Sequence, residues 1–322
     1  MNTFILDIET KKNLLAFSAG VDSTALFFIL LDNNIPFDIA IVDYGQRVQS
    51  KDEVIYATQL AHKYNKKCFI SQYPKESKFS EKDARDFRHD FFDAIIKEND
   101  YETLITAHQL NDKCEWFLMQ FTKGAGLSEL LGMEKVSYKE NYTVLKPLLD
   151  YSKETLKNYL ISNKIKFFED ESNNDEQYKR NYFRHNFTNQ LLKEYEKGIL
   201  NSFKYLQSDY NSLFNFNKVQ KQFIEELTIY SFDNDLNIAI RIIDKDLKKR
   251  GIIISKATRD EIVEKKEIVI SHKFSVAITQ DKIFIAPYVD INMDKSFKEK
   301  CRINKIPKNI RSYLSTVKNF TF

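Results

Sequence analysis

The feature that most constrains this chain is an alternation that begins near residue 13. Short apolar runs at 13–17, 38–43, 68–73 and 103–108 are separated by stretches long enough for helices at 24–31, 51–64, 81–98 and about 112–121. Successive strands joined through a helix run parallel, because a tight turn can join only antiparallel neighbours. The pattern therefore predicts an α/β fold with a doubly wound, mostly parallel sheet. In such sheets ligands sit beyond the carboxyl ends of the strands. Chemistry is expected in segments 18–23, 43–47 and 108–115.

After Pro147 the pattern changes. A helix is predicted over 152–163, then an acidic, Asn-rich loop over 169–176 and a basic helix start at 179–185. From about Asn201 the chain is polar and rich in Lys and Asn; a helix over 236–250 and strands at 267–271, 274–280 and 282–288 follow, with Gln280-Asp281 as a hairpin turn. No internal repeat is visible. The expected organisation is a first domain over 1–200, with a helical extension from about 150, and a smaller C-terminal α+β domain over 201–322. At 322 residues, 43% hydrophobic and 30% charged, the chain can bury a substantial core and is not disordered. Cys68, Cys114 and Cys301 lie far apart without a CxxC pair, which argues against a disulfide framework or a zinc ribbon. Acids interrupt the N-terminal apolar run and no stretch of about 18 apolar residues occurs, so neither a signal peptide nor a membrane span is expected. The expected location is cytoplasmic.

Ser18-Ala-Gly-Val-Asp-Ser23 joins the first strand to the first helix. Small residues let backbone approach a ligand, and a helix N-terminus presents N–H groups to an anion. The hydroxyls of Ser18 and Ser23 add donors. No Walker A or GxGxxG pattern is present. An Asp inside a phosphate loop repels phosphate unless a cation intervenes, so Asp22 points to a Mg²⁺-bound nucleotide. The same hexapeptide also reads as a plain strand–helix turn.

Other candidates carry two readings each. Asp112 and Glu115 share one helix face, either as a paired carboxylate site or as a solvated surface. Arg85 and Arg88 are phosphate ligands or surface salt-bridge partners. His108 ends a strand in the expected crevice and is otherwise a satisfied structural residue. Asp43 holds adenine or ribose, or only ends its strand. Gly124 and Gly126 are expected to permit positive φ after a helix. Arg180, Asn181, Arg184 and His185 form a polar cluster, functional or simply stitched by ion pairs. Cys114 reads as a small apolar filler.

In order, these segments resemble known motifs. Ser18–Ser23 is similar to the SGGxDS loop of the PP-loop ATP pyrophosphatases, with Ala19 for the first Gly. A methyl group there is expected only if φ stays below zero. Asp83-Ala-Arg-Asp-Phe-Arg-His89 resembles the ARxxR helix of the tRNA(Ile)-lysidine synthetase family, and Thr106-Ala-His-Gln-Leu-Asn-Asp-Lys-Cys-Glu115 its TAHHxDDxxE stretch. Lys123-Gly-Ala-Gly-Leu127 is similar to RGxGL and Lys146-Pro-Leu-Leu149 to RPLL. Asp170-Glu-Ser-Asn173 with Arg180-Asn-Tyr-Phe-Arg184 is similar to DxSN…RNxxR. The matches cover residues 14 to about 190. This chain departs at Asn111, where the family has Asp, and at Tyr44-Gly-Gln-Arg47, which lacks the His of an HGLR-like segment.

The resemblance implies ATP-dependent adenylation of the wobble cytidine of a CAU-anticodon tRNA(Ile), then attack by the ε-amine of free lysine. It implies ATP contacts from Ser18, Ala19, Gly20, Val21, Asp22 and Ser23, with Mg²⁺ on Asp22; Asp43 is a further ATP-contact candidate from its place at the end of the second strand. It assigns catalysis to Asp22, Arg88, His108, Asp112 and Glu115, lysine binding to Asp112 and Glu115, and a tRNA-facing role to Arg180, Asn181 and Arg184. A homodimer is expected by analogy. Two alternatives remain. A PP-loop tRNA cytidine 2-thiolase is disfavoured because paired cysteines for an iron–sulfur cluster are missing. A catalytically silent nucleotide-binding module is disfavoured by the intact acidic and basic set.

Charge distribution adds one expectation. The formal net charge is +3, yet residues 291–322 carry eight Lys/Arg against two Asp/Glu. The basic end reads as a grip on tRNA phosphates or as a solvated tail.

Overall fold

Strand β1 (Asn13–Ala16) is the hub of the first sheet, lying parallel between β2 (Asp38–Asp43) and β4 (Thr103–Ile105). On one side β3 (Cys68–Gln72) continues it; on the other come β6 (Thr143–Leu145) and the antiparallel edge strand β5 (Val136–Tyr138). The order is β3-β2-β1-β4-β6-β5. Helices α1 (Val21–Asp32), α2 (Gln49–Lys63), α3 (Glu81–Asn99) and α4 (Leu110–Phe121) follow the first four strands. The computed structural model describes residues 8–45, 49–74, 80–169, 179–213, 219–318 and 320.

Side-chain alternation along β1 explains the layers. Leu15 faces one side with Phe17, Ile39, Ile41 and Ile105, under Ala25, Leu26 and Phe27 of α1, Leu60 of α2, and Leu156 and Leu160. Leu14 faces the other with Ala40, Leu104 and Val144, under Phe92, Ile95 and Ile96 of α3. Apolar residues on both sides of each strand are what a sheet covered on both faces requires. Helix α1 is apolar nearly all round because it lies deep in the first layer. The doubly wound expectation is met. The β5–β6 hairpin was not expected, since strands of three residues carry too little periodicity to read.

Four more helical elements complete the first unit: α5 (Leu127–Leu130), α6 (Lys153–Ser162), α7 (Lys179–Phe183) and α8 (Asn189–Leu213). Ser152 caps α6 by accepting from Thr155 N–H at 3.3 Å. A π-helical turn, Arg184–Thr188, joins α7 to α8. Helix α8 kinks at Tyr195, whose φ is −127°. The chain divides into two compact units at 210/211, whereas residue 200 lies inside α8.

The second unit holds an antiparallel sheet of order β7-β8-β11-β10-β9: β7 (Lys221–Ile224), β8 (Leu227–Ser231), β9 (Glu267–Ile270), β10 (Phe274–Ile278) and β11 (Lys282–Pro287). Strands β10 and β11 pair as the expected hairpin. Helices α9 (Leu236–Lys249) and α10 (Lys256–Lys265) cover one face through Ile242, Ile243, Leu247 and Ile262. Helix α11 (Lys295–Ile303) and the turn after it cover the other through Phe297, Ile310, Tyr313 and Leu314. Buried Asp246 is held by Tyr230 and Arg250, so this core tolerates a charge by pairing it.

Candidate functional site

The loop from β1 into α1 is shaped by its own hydroxyls. Ser23 Oγ accepts the Ser18 N–H at 3.1 Å and lies 3.0 Å from Ser18 Oγ. Gly20 caps α1 in extended backbone with no side chain bonded into the first turn. The first helical bond runs from Thr24 N–H to Gly20 carbonyl at 3.0 Å. The N–H groups of Val21, Asp22 and Ser23 therefore have no intrahelical acceptor, the arrangement that suits an anion.

The expectation for Ala19 is corrected. Its φ is +59°, in the left-handed region, while Gly20 has φ −74° and a Cβ there would meet only ordinary contacts. The strained position carries a methyl, and the permissive residue sits where the conformation does not need it. The strain, of order 1–2 kcal/mol, is offset by burial and by a long-range brace. Ala19 is fully buried, and its carbonyl accepts the Phe168 N–H at 3.0 Å. The expectation for Gly126 is corrected as well: it caps α5 at φ −80°, whereas Gly124, at +73°, does use the left-handed region.

Across the crevice stands the start of α4. A capping box fixes it: Gln109 Oε1 accepts Asn111 N–H at 2.5 Å, and Asp112 Oδ2 accepts Gln109 N–H at 3.0 Å. One turn on, Glu115 is completely buried. Arg180 bridges the two carboxylates, Nη2 on Asp112 Oδ1 at 2.6 Å and Nε on Glu115 Oε2 at 2.8 Å. Arg184 holds Glu115 through Nε on Oε1 at 2.7 Å and Nη2 on Oε2 at 3.2 Å. Burial pushes the Asp112 carboxyl up, but Arg180, His108, the Gln109 N–H and Arg184 together hold it below the usual carboxylate range.

Asp22 faces this group in the opposite condition. Burial, then Asp112, pushes its carboxyl up to about 7, and Lys153 and Arg184 only partly offset that. Its Oδ1 is buried without a hydrogen-bond partner. A buried, unpaired carboxylate oxygen beside an open helix N-terminus fits a hard divalent cation, so the residues present suit Mg²⁺.

His108 is partly buried beside the same cluster. Its Nδ1 lies 2.9 Å from Thr106 Oγ1. Burial holds the imidazole well below its ordinary range, Asp112 opposes that, and Arg180, Lys146 and Arg88 reinforce it. The ring is neutral at pH 7. Arg88 is exposed on α3 and donates to the Tyr44 hydroxyl, whereas Arg85 faces solvent with its side chain 60% exposed. Asp43 accepts Gly45 N–H at 2.8 Å and Gln72 Nε2 at 3.3 Å, so it shapes the end of β2. Burial pushes the Cys114 thiol up to about 11, as an apolar filler would show.

Comparison with known proteins gives these groups a context. Residues 1–191 match a family model described as a PP-loop domain. The tRNA(Ile)-lysidine synthase of Campylobacter jejuni is 42% identical over 95% of this chain and 93% of its own. That of Helicobacter pylori is 40% identical over 97% and 92%, and that of Wolinella succinogenes 39% over 95% and 93%. The chain belongs to the tRNA(Ile)-lysidine synthase family. The thiolase alternative loses its ground, and the three cysteines are free thiols, two of them buried.

Within this family member the structure gathers Asp22, His108, Asp112, Glu115, Arg180 and Arg184 into one charged cluster. Asn181 is buried and accepts from Arg184 Nη1 at 3.4 Å, so it supports that arginine. Gln46, Arg47 and 170–173 lie outside the described residues. Sequence reasoning missed Lys153, whose cationic side chain is felt at Asp22. It also missed the use made of Asn111, which accepts the Lys153 N–H at 3.1 Å and donates to Asn189 Oδ1 at 3.3 Å. An amide provides both a donor and an acceptor there, where the family's Asp would offer acceptors alone.

Proposed function

We propose that this chain converts the wobble cytidine of a CAU-anticodon tRNA(Ile) to lysidine, using ATP and free lysine. What carries the reading is the relationship along nearly the whole length of both chains, with an open anion site set against a charged carboxylate cluster. The cytidine carbonyl oxygen attacks the α-phosphorus of ATP and pyrophosphate leaves. The lysine ε-amine then attacks the adjacent ring carbon, and AMP departs with the oxygen.

The residues take roles that follow from their surroundings. Backbone N–H groups at 21–23 and the Ser18 and Ser23 hydroxyls receive phosphate oxygens. Asp22 would hold Mg²⁺, which when bound would supply charge compensation for pyrophosphate. Arg88 approaches the transferred phosphate from α3. His108, neutral at pH 7, is able to accept a proton from the attacking amine. Asp112, the less enclosed carboxylate of α4, receives the lysine ammonium once Arg180 yields it. Glu115, filled by two guanidiniums, anchors Arg180 and Arg184, which refines the lysine-binding role expected for it. The first unit carries catalysis. The exposed Lys298, Lys300 and Lys305 in and just after α11 support tRNA phosphate binding by the second.

The decisive assay is AMP release from ATP. Release should require both lysine and the CAU tRNA, and lysine should appear in the RNA. A sulfur-dependent, lysine-independent product, or ATP binding without turnover, would overturn the reading.

A further inference from the structure

The segment from Lys179 to Asn189 contains Lys179, Arg180, Arg184 and His185 and no acid, with Tyr182, Phe183 and Phe187 interleaved. Arg180 and Arg184 lie one turn apart and turn toward α4, where they hold Asp112 and Glu115. Tyr182, about 200° round the helix from Arg180, points elsewhere and is 45% exposed. Phe187 is 42% exposed, and its ring centroid lies 5.8 Å from that of Tyr182.

The π turn produces this pairing. In an α-helix residues five apart diverge by about 140°. The i→i+5 bonding of Arg184–Thr188, closed by Asn189 N–H on the Arg184 carbonyl, returns Phe187 to the side of Tyr182. Phe183, buried beneath, supports both rings at 5.9 and 5.6 Å. One short segment thus clamps the catalytic carboxylates on one side and offers two solvent-facing rings on another.

We propose that Tyr182 and Phe187 form a stacking platform for an unpaired base of the RNA anticodon loop, beside the base being modified. The inference rests on the RNA substrate of the proposed function and adds the surface that receives it. Single-stranded bases bind aromatic side chains by stacking, and the acid-free basic segment around the rings complements the loop phosphates. Because the platform shares a segment with Arg180 and Arg184, a base seated on it is registered against the carboxylate cluster.

The test uses the full chain and a synthetic RNA stem-loop with CAU in its loop. The Tyr182→Leu/Phe187→Leu variant keeps apolar bulk and removes both π faces. It should bind the stem-loop roughly tenfold or more weakly, with ATP affinity and thermal midpoint near those of the wild type. Tyr182→Phe/Phe187→Tyr, which retains the rings, should bind RNA as the wild type does. Equal RNA affinity in the Leu variant and a binding-competent wild type would overturn the platform alone. Failure of the wild type to bind the stem-loop would overturn the platform together with the RNA reading. Weakened ATP binding with unchanged RNA binding would reassign the rings to adenine and also overturn it.

Discussion

Arg184 closes Glu115 through both carboxylate oxygens, at 2.7 and 3.2 Å, in a place where Glu115 itself has no exposed surface. Such a pair is a poor source of net stability but a severe loss when halved, because the partner left behind stays charged and buried. In Glu115→Gln, Arg180 and Arg184 would meet an amide N–H₂ in place of an oxygen. Stability should fall by about 3 kcal/mol, read as a lower denaturation midpoint with unchanged slope. A loss within about 0.5 kcal/mol would contradict the anchoring role.

Asp112 separates capping from charge. Asn at this position still accepts the Gln109 N–H but cannot attract an ammonium. Asp112→Asn should therefore keep the fold and keep ATP affinity within about threefold, while turnover drops by a hundredfold or more. Parallel loss of ATP binding would move Asp112 out of the lysine side of the site.

Asp22 gives a pH signature. Its carboxyl titrates near 3.8 as a free group and near 7 in the fold. Between those values the folded state holds the extra proton, so this group's contribution to stability declines as pH rises and levels off above about 7. Without divalent cation, the thermal midpoint of Asp22→Asn relative to wild type should rise from pH 5 to 8 while turnover is lost. Added Mg²⁺ should stabilise the wild type more at pH 8 than at pH 6. A pH-independent difference between the two proteins would remove the assigned shift.

At Ala19 opposing effects nearly cancel. Gly would relieve about 1–2 kcal/mol of left-handed strain but give up a buried methyl worth about 0.8 kcal/mol and loosen the unfolded chain. Ala19→Gly should change stability by less than about 1 kcal/mol. Ala19→Val, β-branched at φ +59°, should cost more than about 2 kcal/mol. Equal stabilities for the two variants would argue against the left-handed conformation.

The basic C-terminal segment makes a salt-dependent prediction. Lys298, Lys300 and Lys305 replaced by Ala should lower the magnitude of the slope of log affinity against log salt for tRNA by about 2 to 3. Turnover at saturating tRNA should be unchanged. An unaltered slope would return the segment to an ordinary solvated surface.

The alternation of strands and helices was legible because each crossover helix buries a broad apolar stripe and each parallel strand is apolar on both sides. The carboxylates and the phosphate loop were legible as motifs. The order β3-β2-β1-β4-β6-β5 was not, since local periodicity says nothing about which strands become neighbours. Nor was the engagement of Asp112 and Glu115 by arginines some 65 residues later, which the packing of α7 and the π turn on α4 creates. Ala19 shows the limit most sharply: residue preference argued for negative φ, and the Phe168 brace with complete burial overrode it.

That brace also orders events in time. The phosphate loop is synthesised before Phe168, which ties down the Ala19 carbonyl and follows about 150 residues later. At elongation rates of about 5 to 20 residues per second the interval is roughly 8 to 30 s. Strand β1 likewise waits for β4 before its second edge is covered. A nascent chain therefore carries an unfinished nucleotide loop through most of the first unit's synthesis, and competence to bind ATP should appear abruptly, once α6 and the residues just beyond it have docked.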